Sequence, residues 1–204
     1  MAEAINPEEY QFPSIYNFPP FFTRQINQQV WNSQLGSWAD LITSYCRHHR
    51  IWRLDATNDY TGLFENKLLK RKVRPDTIRD ILDHLVASGQ AMWTDPETIK
   101  STSAKDSTAI SSSRYLRQPA GILVLWQSLD DWAAILSQWL ADTGHPKGSV
   151  LTLYELLEDE ESRVPALIGM DRQLFGAVAT KLVAKGSAVA MRDGNGGLVG
   201  LKTC

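Results

Sequence analysis

Hydrophobic positions along this chain switch between two patterns, and they do so twice in the same order. Trp38, Leu41, Ile42 and Tyr45 fall on one face of a predicted helix, as do Trp132, Ile135, Leu136 and Trp139 farther on. A short β-prone stretch follows each, Ile51 to Leu54 and Ser149 to Thr152. A brief helix is then predicted from Leu63 in the first half and from Leu153 in the second. The next, longer helix has the stripe Ile78, Ile81, Leu82, Leu85 and Val86 in one half, and Leu174, Phe175, Val178, Leu182 and Val183 in the other. Pro75 suits the first turn of the earlier long helix, where its missing N–H would have no partner anyway. Ser128 and Asp131 have the spacing of a capping box. Gly89 and Gly186 close both long helices, as a left-handed C-cap prefers. Past each glycine the pattern becomes β-prone: Gln90 to Thr94 and Ile122 to Trp126, then Ser187 to Arg192 and Leu198 to Leu201. The last pair is joined by the turn Asp193-Gly-Asn-Gly-Gly197.

The residues themselves repeat. Trp38-Ala-Asp-Leu-Ile-Thr-Ser-Tyr45 matches Trp132-Ala-Ala-Ile-Leu-Ser-Gln-Trp139, Leu63-Phe64-Glu65 matches Leu153-Tyr154-Glu155, and Leu85-Val-Ala-Ser-Gly-Gln-Ala91 matches Leu182-Val-Ala-Lys-Gly-Ser-Ala188. The period is too long for a solenoid, so two folded copies are expected. Helix, strand, two helices and a hairpin is the order of a winged helix. The predicted fold is α+β: two tandem winged-helix domains, residues 24–126 and 127–204, behind an N-terminal segment over 1–23. In the first copy the hairpin turn is swollen into Asp95 to Pro119, rich in Ser and Thr, which reads as a disordered insertion.

The N-terminal segment changes the picture. Tyr10-Gln-Phe-Pro-Ser-Ile-Tyr-Asn-Phe-Pro-Pro-Phe-Phe22 holds six aromatic rings, three prolines and no charge. Pro13, Pro19 and Pro20 fix φ and remove backbone donors, so an extended or polyproline II course with outward rings is expected. Each ring that finds a socket gains roughly 1.5–3 kcal/mol. Docking on a partner is the reading preferred here; folding back over the chain's own core is the other.

Composition narrows the function class. With 43% hydrophobic and 22% charged residues the chain is an ordinary globular one, and a formal charge of −2 argues against a chain built mainly to neutralise phosphates. Cys46 and Cys204 form no metal spacing and no disulfide framework, which fits a reducing compartment. The acidic, Pro-rich start is no signal peptide, and the longest apolar run, Ala120 to Trp126, is far short of a membrane span. Among His48, His49, His84 and His145 none is spaced with Cys, Asp or Glu to bind zinc, and Gly194-Asn-Gly-Gly197 lacks the lysine and helix of a phosphate loop. No catalysis, cofactor or metal is expected. Base readout would need basic long helices, but Arg79 is countered by Asp76, Asp80 and Asp83, and Arg172, Lys181 and Lys185 face Asp171. The cationic run Lys67-Leu-Leu-Lys-Arg-Lys-Val-Arg74 is either a solvated face or a contact for phosphate or an acidic partner. An acidic run, Glu155 to Glu161, holds nearly the equivalent place in the second copy.

Phe18-Pro-Pro-Phe-Phe-Thr-Arg-Gln25, Trp38 to Arg47, Leu63-Phe64 with Arg71-Lys72, Leu125-Trp-Gln-Ser-Leu-Asp-Asp-Trp132, Gln138-Trp139 and Leu151-Thr-Leu-Tyr-Glu-Leu156 together resemble the small two-winged-helix subunit family of the ESCRT-II endosomal sorting complex. The resemblance spans nearly the whole chain. It implies a non-enzymatic adaptor, present in two copies per complex, whose N-terminal PPXY or PPXF motifs insert into pockets on two larger winged-helix subunits. Carried onto this sequence, one motif is Pro19, Pro20, Phe21 and Phe22. The other is Pro13, Ser14, Ile15 and Tyr16, with serine where a second proline is usual. Arg71 fits the arginine that supports this contact by pairing with an acidic residue. The second winged helix is expected to recruit an ESCRT-III subunit, with the protein cytoplasmic and brought to the endosomal membrane only through the complex. No nucleic acid is expected as partner. The alternative is a tandem winged-helix regulator that binds nucleic acid.

Overall fold

In the computed structural model the described residues are 10–55, 62–94, 121–159 and 164–204. The predicted insertion at 95–119 lies outside them. Among the described residues there are five α-helices and eight short strands: α1 (Gln28–His49), β1 (Arg53–Asp55), β2 (Glu65–Asn66), β3 (Arg71–Lys72), α2 (Pro75–Ala87), β4 (Ala91–Trp93), β5 (Gly121–Val124), α3 (Leu129–Asp142), β6 (Val150–Thr152), α4 (Leu153–Leu157), α5 (Arg172–Ala184), β7 (Ala188–Arg192) and β8 (Leu198–Thr203). The two halves carry the same sheet: β1-β5-β4 in the first and β6-β8-β7 in the second, so the final hairpin strand lies in the middle each time. Leu54 faces Ile122 in one, and Leu151, Leu201 and Ala190 lie in one row of the other. Two tandem winged helices are therefore built from the duplicated sequence.

The predicted caps are in place. Pro75 opens α2, and Gly89 and Gly186 end their helices at φ 75° and 72°. The Ser128 hydroxyl accepts from the Asp131 N–H at 3.1 Å while the Asp131 carboxylate accepts from the Ser128 backbone. A second capping box, Thr152 with Glu155, starts α4. α1 begins ten residues before the predicted face at Trp38, because Asn27 caps it: its side-chain oxygen accepts from the Gln29 and Val30 N–H groups. Most of the long-helix stripes are buried, but Val183 is exposed and Tyr45, Ile78, Val86, Ile135 and Trp139 are only half-buried.

Two expectations are corrected. The brief helix predicted from Leu63 does not form; β2 and β3 make a small antiparallel hairpin instead. Asn66 explains why: its side-chain oxygen accepts from the Leu69 N–H at 3.0 Å, a local bond that competes with helix, and Lys70 then turns through φ 52°. The N-terminal segment is not extended either. Ser14–Asn17 and Pro19–Phe22 each wind into one 3-10 turn. Proline's fixed φ serves the first position of such a turn as well as it serves polyproline II, and the missing N–H is not needed there.

The chain divides into two compact units that are not contiguous in sequence. The first half's sheet, α2 and the start of α1 belong to one, which spans Phe12–Ala39 and Arg53–Leu123. Asp40–Trp52 and Val124–Cys204 belong to the other, together with the end of the segment before Phe12. In that second unit α3 packs on α5, and Trp52 sits against Trp126 and Trp132 at ring separations of 4.0 and 5.4 Å. Trp52 also donates to the Ile168 carbonyl at 3.2 Å. Cys46 is buried, and burial pushes its thiol up to about 12.

Candidate protein-docking site

The aromatic segment is anchored by some of its rings and offers the rest. Phe21 and Phe22 are each 3% exposed and Tyr16 is 5% exposed, all within the unit that holds Trp38. Phe21 stacks on Trp38 at 4.2 Å with planes 10° apart, and Phe22 meets the same indole edge-on at 5.9 Å. Tyr16 meets Phe22 at 5.2 Å and stacks on Phe12 at 4.0 Å. These three are among the residues expected at a partner contact; within the chain itself they pack into its own core, the other course open to the segment. Trp38, fully buried, is covered by Phe21 and Phe22 together with Phe64 at 5.7 Å, so the segment completes the core of the first winged helix.

Hydrogen bonds fix the backbone at the same place. The side-chain amide nitrogen of Gln34 donates to the carbonyls of Pro20, Phe21 and Thr23. Trp38 donates from its ring to the Phe21 carbonyl at 3.2 Å, and Gln25 donates to the carbonyls of Pro20 and Thr23. The Tyr16 hydroxyl shares its one proton between the carbonyls of Gly62 and Glu65, and Asn66 donates to the Tyr16 carbonyl at 3.0 Å. A turn lacking an N–H at each proline thereby has its carbonyls satisfied by side chains.

What this leaves outside is a compact apolar surface. Pro13, Pro19 and Pro20 are exposed, Ile15 is half-buried, and Phe18 is 56% exposed. Ile15, Phe18, Pro20 and Phe21 form one wall of a groove of about 620 Å³, and Val30, 50% exposed on α1, is part of the other. Phe18 was not singled out among the expected site residues. Its signal was in the sequence: it is the ring immediately before the two prolines.

Arg71 lies on the β2–β3 hairpin in a second pocket, about 460 Å³, lined by Phe22, Thr23, Arg24, Lys70, Arg71, Lys72, Arg74, Asp76 and Thr77. Arg74 pairs with Asp76 at 3.0 Å, Lys72 with Glu65 at 3.8 Å and Arg24 with Asp80 at 2.7 Å. Arg71 and Lys70 make no ion pair with a described residue. The cationic run is thus a partly neutralised, exposed pocket next to the anchored segment.

The long helices spend their cations internally. Arg79 lies over Trp93 at 4.6 Å and pairs with Asp83, Arg172 pairs with Glu158, and Lys181 and Lys185 share Asp130. The Lys181 hydrogen bond and charge hold the Asp130 carboxyl below the usual range. Among the described residues no cluster of His, Cys, Asp or Glu is built to hold a metal ion, and no helix is long and apolar enough to cross a membrane. His48 and His49 sit in the last turn of α1, where a helix C-terminus accommodates cations.

A family profile described as "ESCRT-II complex subunit" matches residues 15–171. The chain belongs to that family. It is a non-enzymatic family of endosomal trafficking, and this member stands with the proteins named vacuolar protein-sorting-associated protein 25. That of Schizosaccharomyces pombe is 31% identical over 193 residues, covering 93% of this chain and 96% of its own. That of Homo sapiens is 29% identical over 190 residues, covering 92% and 96%. The crystal structure of subunit VPS25 of ESCRT-II superposes with a TM-score of 0.76 at 28% identity, covering 95% of this chain and 98% of that one. A chain of the solved ESCRT-II complex of VPS22, VPS25 and VPS36 gives 0.73 at 27% identity, with coverage of 95% and 98%. The fold of the ESCRT-II subunit is thus matched over 95% of the chain.

Proposed function

We propose that this chain is the adaptor arm of an ESCRT-II complex. Its N-terminal segment and first winged helix, residues 1–126, dock on two larger winged-helix subunits, of the kind named VPS22 and VPS36 in the solved complex. Its second winged helix, residues 127–204, recruits an ESCRT-III subunit. Two copies serve each complex, the protein is cytoplasmic, and contact with the endosomal membrane is indirect. Nucleic acid is not a partner in this reading, which the internal pairing of Arg79, Arg172, Lys181 and Lys185 supports.

The observation that carries the reading is the division of labour within one short segment. Phe21, Phe22 and Tyr16 lock the turns to the core, and Pro13, Ile15, Pro19 and Pro20 with Phe18 are presented on a rigid backbone. Rigid presentation lowers the ordering cost of association. Arg71 stands beside this surface as a cation for a partner carboxylate.

The test is a pull-down with the two larger subunits co-expressed. Phe18→Asp and Arg71→Glu are expected to leave the thermal melt within about 2 °C of the parent, since exposed positions change stability by about 0.5 kcal/mol or less. Each is expected to weaken capture, Phe18→Asp the more strongly, because aromatic anchors dominate interfaces. Undiminished capture by both would sink the proposal.

A further inference from the structure

The pocket beside Phe22 gathers more positive charge than the chain itself matches. Five cations line it: Arg24 just past the second 3-10 turn, Lys70, Arg71 and Lys72 on the β2–β3 hairpin, and Arg74 at the N-cap of α2, all within one compact unit. Arg24, Lys72 and Arg74 are each matched to one acid, Asp80, Glu65 and Asp76. Lys70 and Arg71, adjacent and exposed, have no acid of their own among the described residues. Like charges held around one cavity repel, and the cavity of about 460 Å³ leaves room between them for an anion. Lys70 is also held at φ 52°, a left-handed backbone that a lysine adopts only at a cost.

We infer that this pocket binds a phosphate monoester dianion, carried on a phosphorylated serine or threonine of a partner subunit. The inference rests on the docking reading above and adds the chemistry of the group that enters beside Arg71. One partner carboxylate at Arg71 leaves Lys70 unmatched. Two carboxylates crowded into the same space repel, and one of them is pushed toward its neutral form. A phosphorylated side chain carries a charge of about −1.5 to −2 at pH 7 on one compact group with three acceptor oxygens, which answers both cations at once. The guanidinium forks of Arg24 and Arg74 line the same cavity and keep donors beyond the one carboxylate each has. A lipid headgroup is the rival, because Leu68 is 91% exposed on the same hairpin. A surface made for an anionic bilayer surrounds its apolar residues with Lys and Arg, however, and the neighbouring groove between Phe18 and Val30 has no charged residue in its lining. A folded partner that covers groove and pocket together suits both.

The experiment titrates two probes into the full-length chain, N-acetyl-phosphoserine amide and N-acetyl-glutamate amide, followed by NMR at the backbone amides of Lys70 and Arg71. The phosphoserine probe is expected to bind about tenfold or more tightly than the glutamate probe. Equal affinities, or no binding by either, overturn the inference. Lys70→Gln and Arg71→Gln are each expected to weaken the phosphoserine probe about fivefold or more while leaving the melt unchanged, since both positions are exposed. Loss of binding in Arg71→Gln with none in Lys70→Gln would reduce the site to a single cation and overturn the assignment of a dianion.

In the complex with the larger subunits taken from native extract, phosphatase treatment is expected to weaken capture of the chain about tenfold, and Lys70→Gln to remove that sensitivity. If Phe18→Asp and Arg71→Glu weaken capture while phosphatase leaves it unchanged, this inference falls and the docking reading stands. If neither substitution matters, both fall. Co-sedimentation of the chain with vesicles of phosphatidylcholine and phosphatidylinositol phosphate that Leu68→Asp abolishes would put a lipid headgroup in the pocket and overturn the assignment to a partner subunit.

Discussion

Phe21→Ala separates the two uses of the aromatic segment more sharply than any other substitution. Were Phe21 a plug for a partner, the change would spare folding and abolish assembly. With Phe21 3% exposed and stacked on Trp38 at 4.2 Å, the loss falls on folding first. Removing a buried phenylalanine costs about 3–5 kcal/mol, combining lost transfer energy with the cavity left behind. The stack on Trp38 and the edge contact with Phe22 place this site toward the upper part of that range, about 4 kcal/mol. That is a large share of the roughly 5–15 kcal/mol that a domain has in all. The assay is urea unfolding followed by far-UV and near-UV circular dichroism, fitted as two units. One transition should move to lower urea, with a fall of roughly 15 °C or more in the corresponding melt. Phe21→Leu, which keeps most of the volume, should cost only about 1.5 kcal/mol. A Phe21→Ala chain that loses less than about 1 kcal/mol, with its slope in urea unchanged, would refute the argument that the segment closes the first winged helix.

Three further outcomes follow from other parts of the molecule. A Cβ at Gly200 would lie 2.4 Å from the Leu151 carbonyl oxygen, backbone that cannot step aside without disturbing β6, so Gly200→Ala should cost about 1–3 kcal/mol; an unchanged melt would show that the β6–β8 pair is looser than its geometry. Cys46 is buried with its thiol pushed up to about 12, so Ellman's reagent at pH 8 should count one reactive thiol, Cys204, in the native chain and two in urea; two in the native chain would contradict the packing of α1. The backbone and hydroxyl of Thr152 hold the Glu155 carboxyl below its ordinary range. Its contribution is therefore present above the unfolded carboxylate value and lost as pH falls through the lowered one, and Glu155→Gln should flatten that acid limb slightly in melts between pH 6 and about 3, while an identical pH profile would remove the capping box from the account.

Helical order and sheet topology were legible because both are written in local signals that recur. Ser128 with Asp131, Pro75, Gly89 and Gly186 each act within a turn of themselves, and the duplication supplied a second reading of each element. The places where the sequence misled are those where a distant residue decides. Leu63-Phe64-Glu65 looks helical beside Leu153-Tyr154-Glu155, yet Asn66 accepts from the Leu69 N–H and donates to the Tyr16 carbonyl fifty residues away. The aromatic segment was visible as needing a socket, but its prolines are as compatible with a 3-10 start as with an extended strand. Nothing local says that Gln34 and Trp38 will meet its carbonyls.

The comparison of the two copies explains why the first needs such a segment. Trp38 and Trp132 occupy matching positions on their helices, and each is nearly or wholly buried at 0% and 3%. An indole facing a small core must be covered by other rings. Trp132 is covered by Trp126, six residues before it, and by Trp52, at 6.0 and 5.4 Å within the same compact unit. In the first copy the helix is extended N-terminally to Gln28, so the cover has to arrive from farther back along the chain, and Phe21 and Phe22 are what arrives. The consequence for function is geometric. A chain that must cross Trp38 with two adjacent rings leaves the residues immediately before them, Phe18, Pro19 and Pro20, on the outside of a turn whose carbonyls are already bound. The proposed docking surface is on this reasoning a by-product of closing the core: its rigidity would come from the same Phe21 and Phe22 contacts that stabilise the fold. Changes to those two rings should therefore weaken assembly in proportion to the stability they remove, whereas changes at Phe18 should weaken assembly with no loss of stability at all.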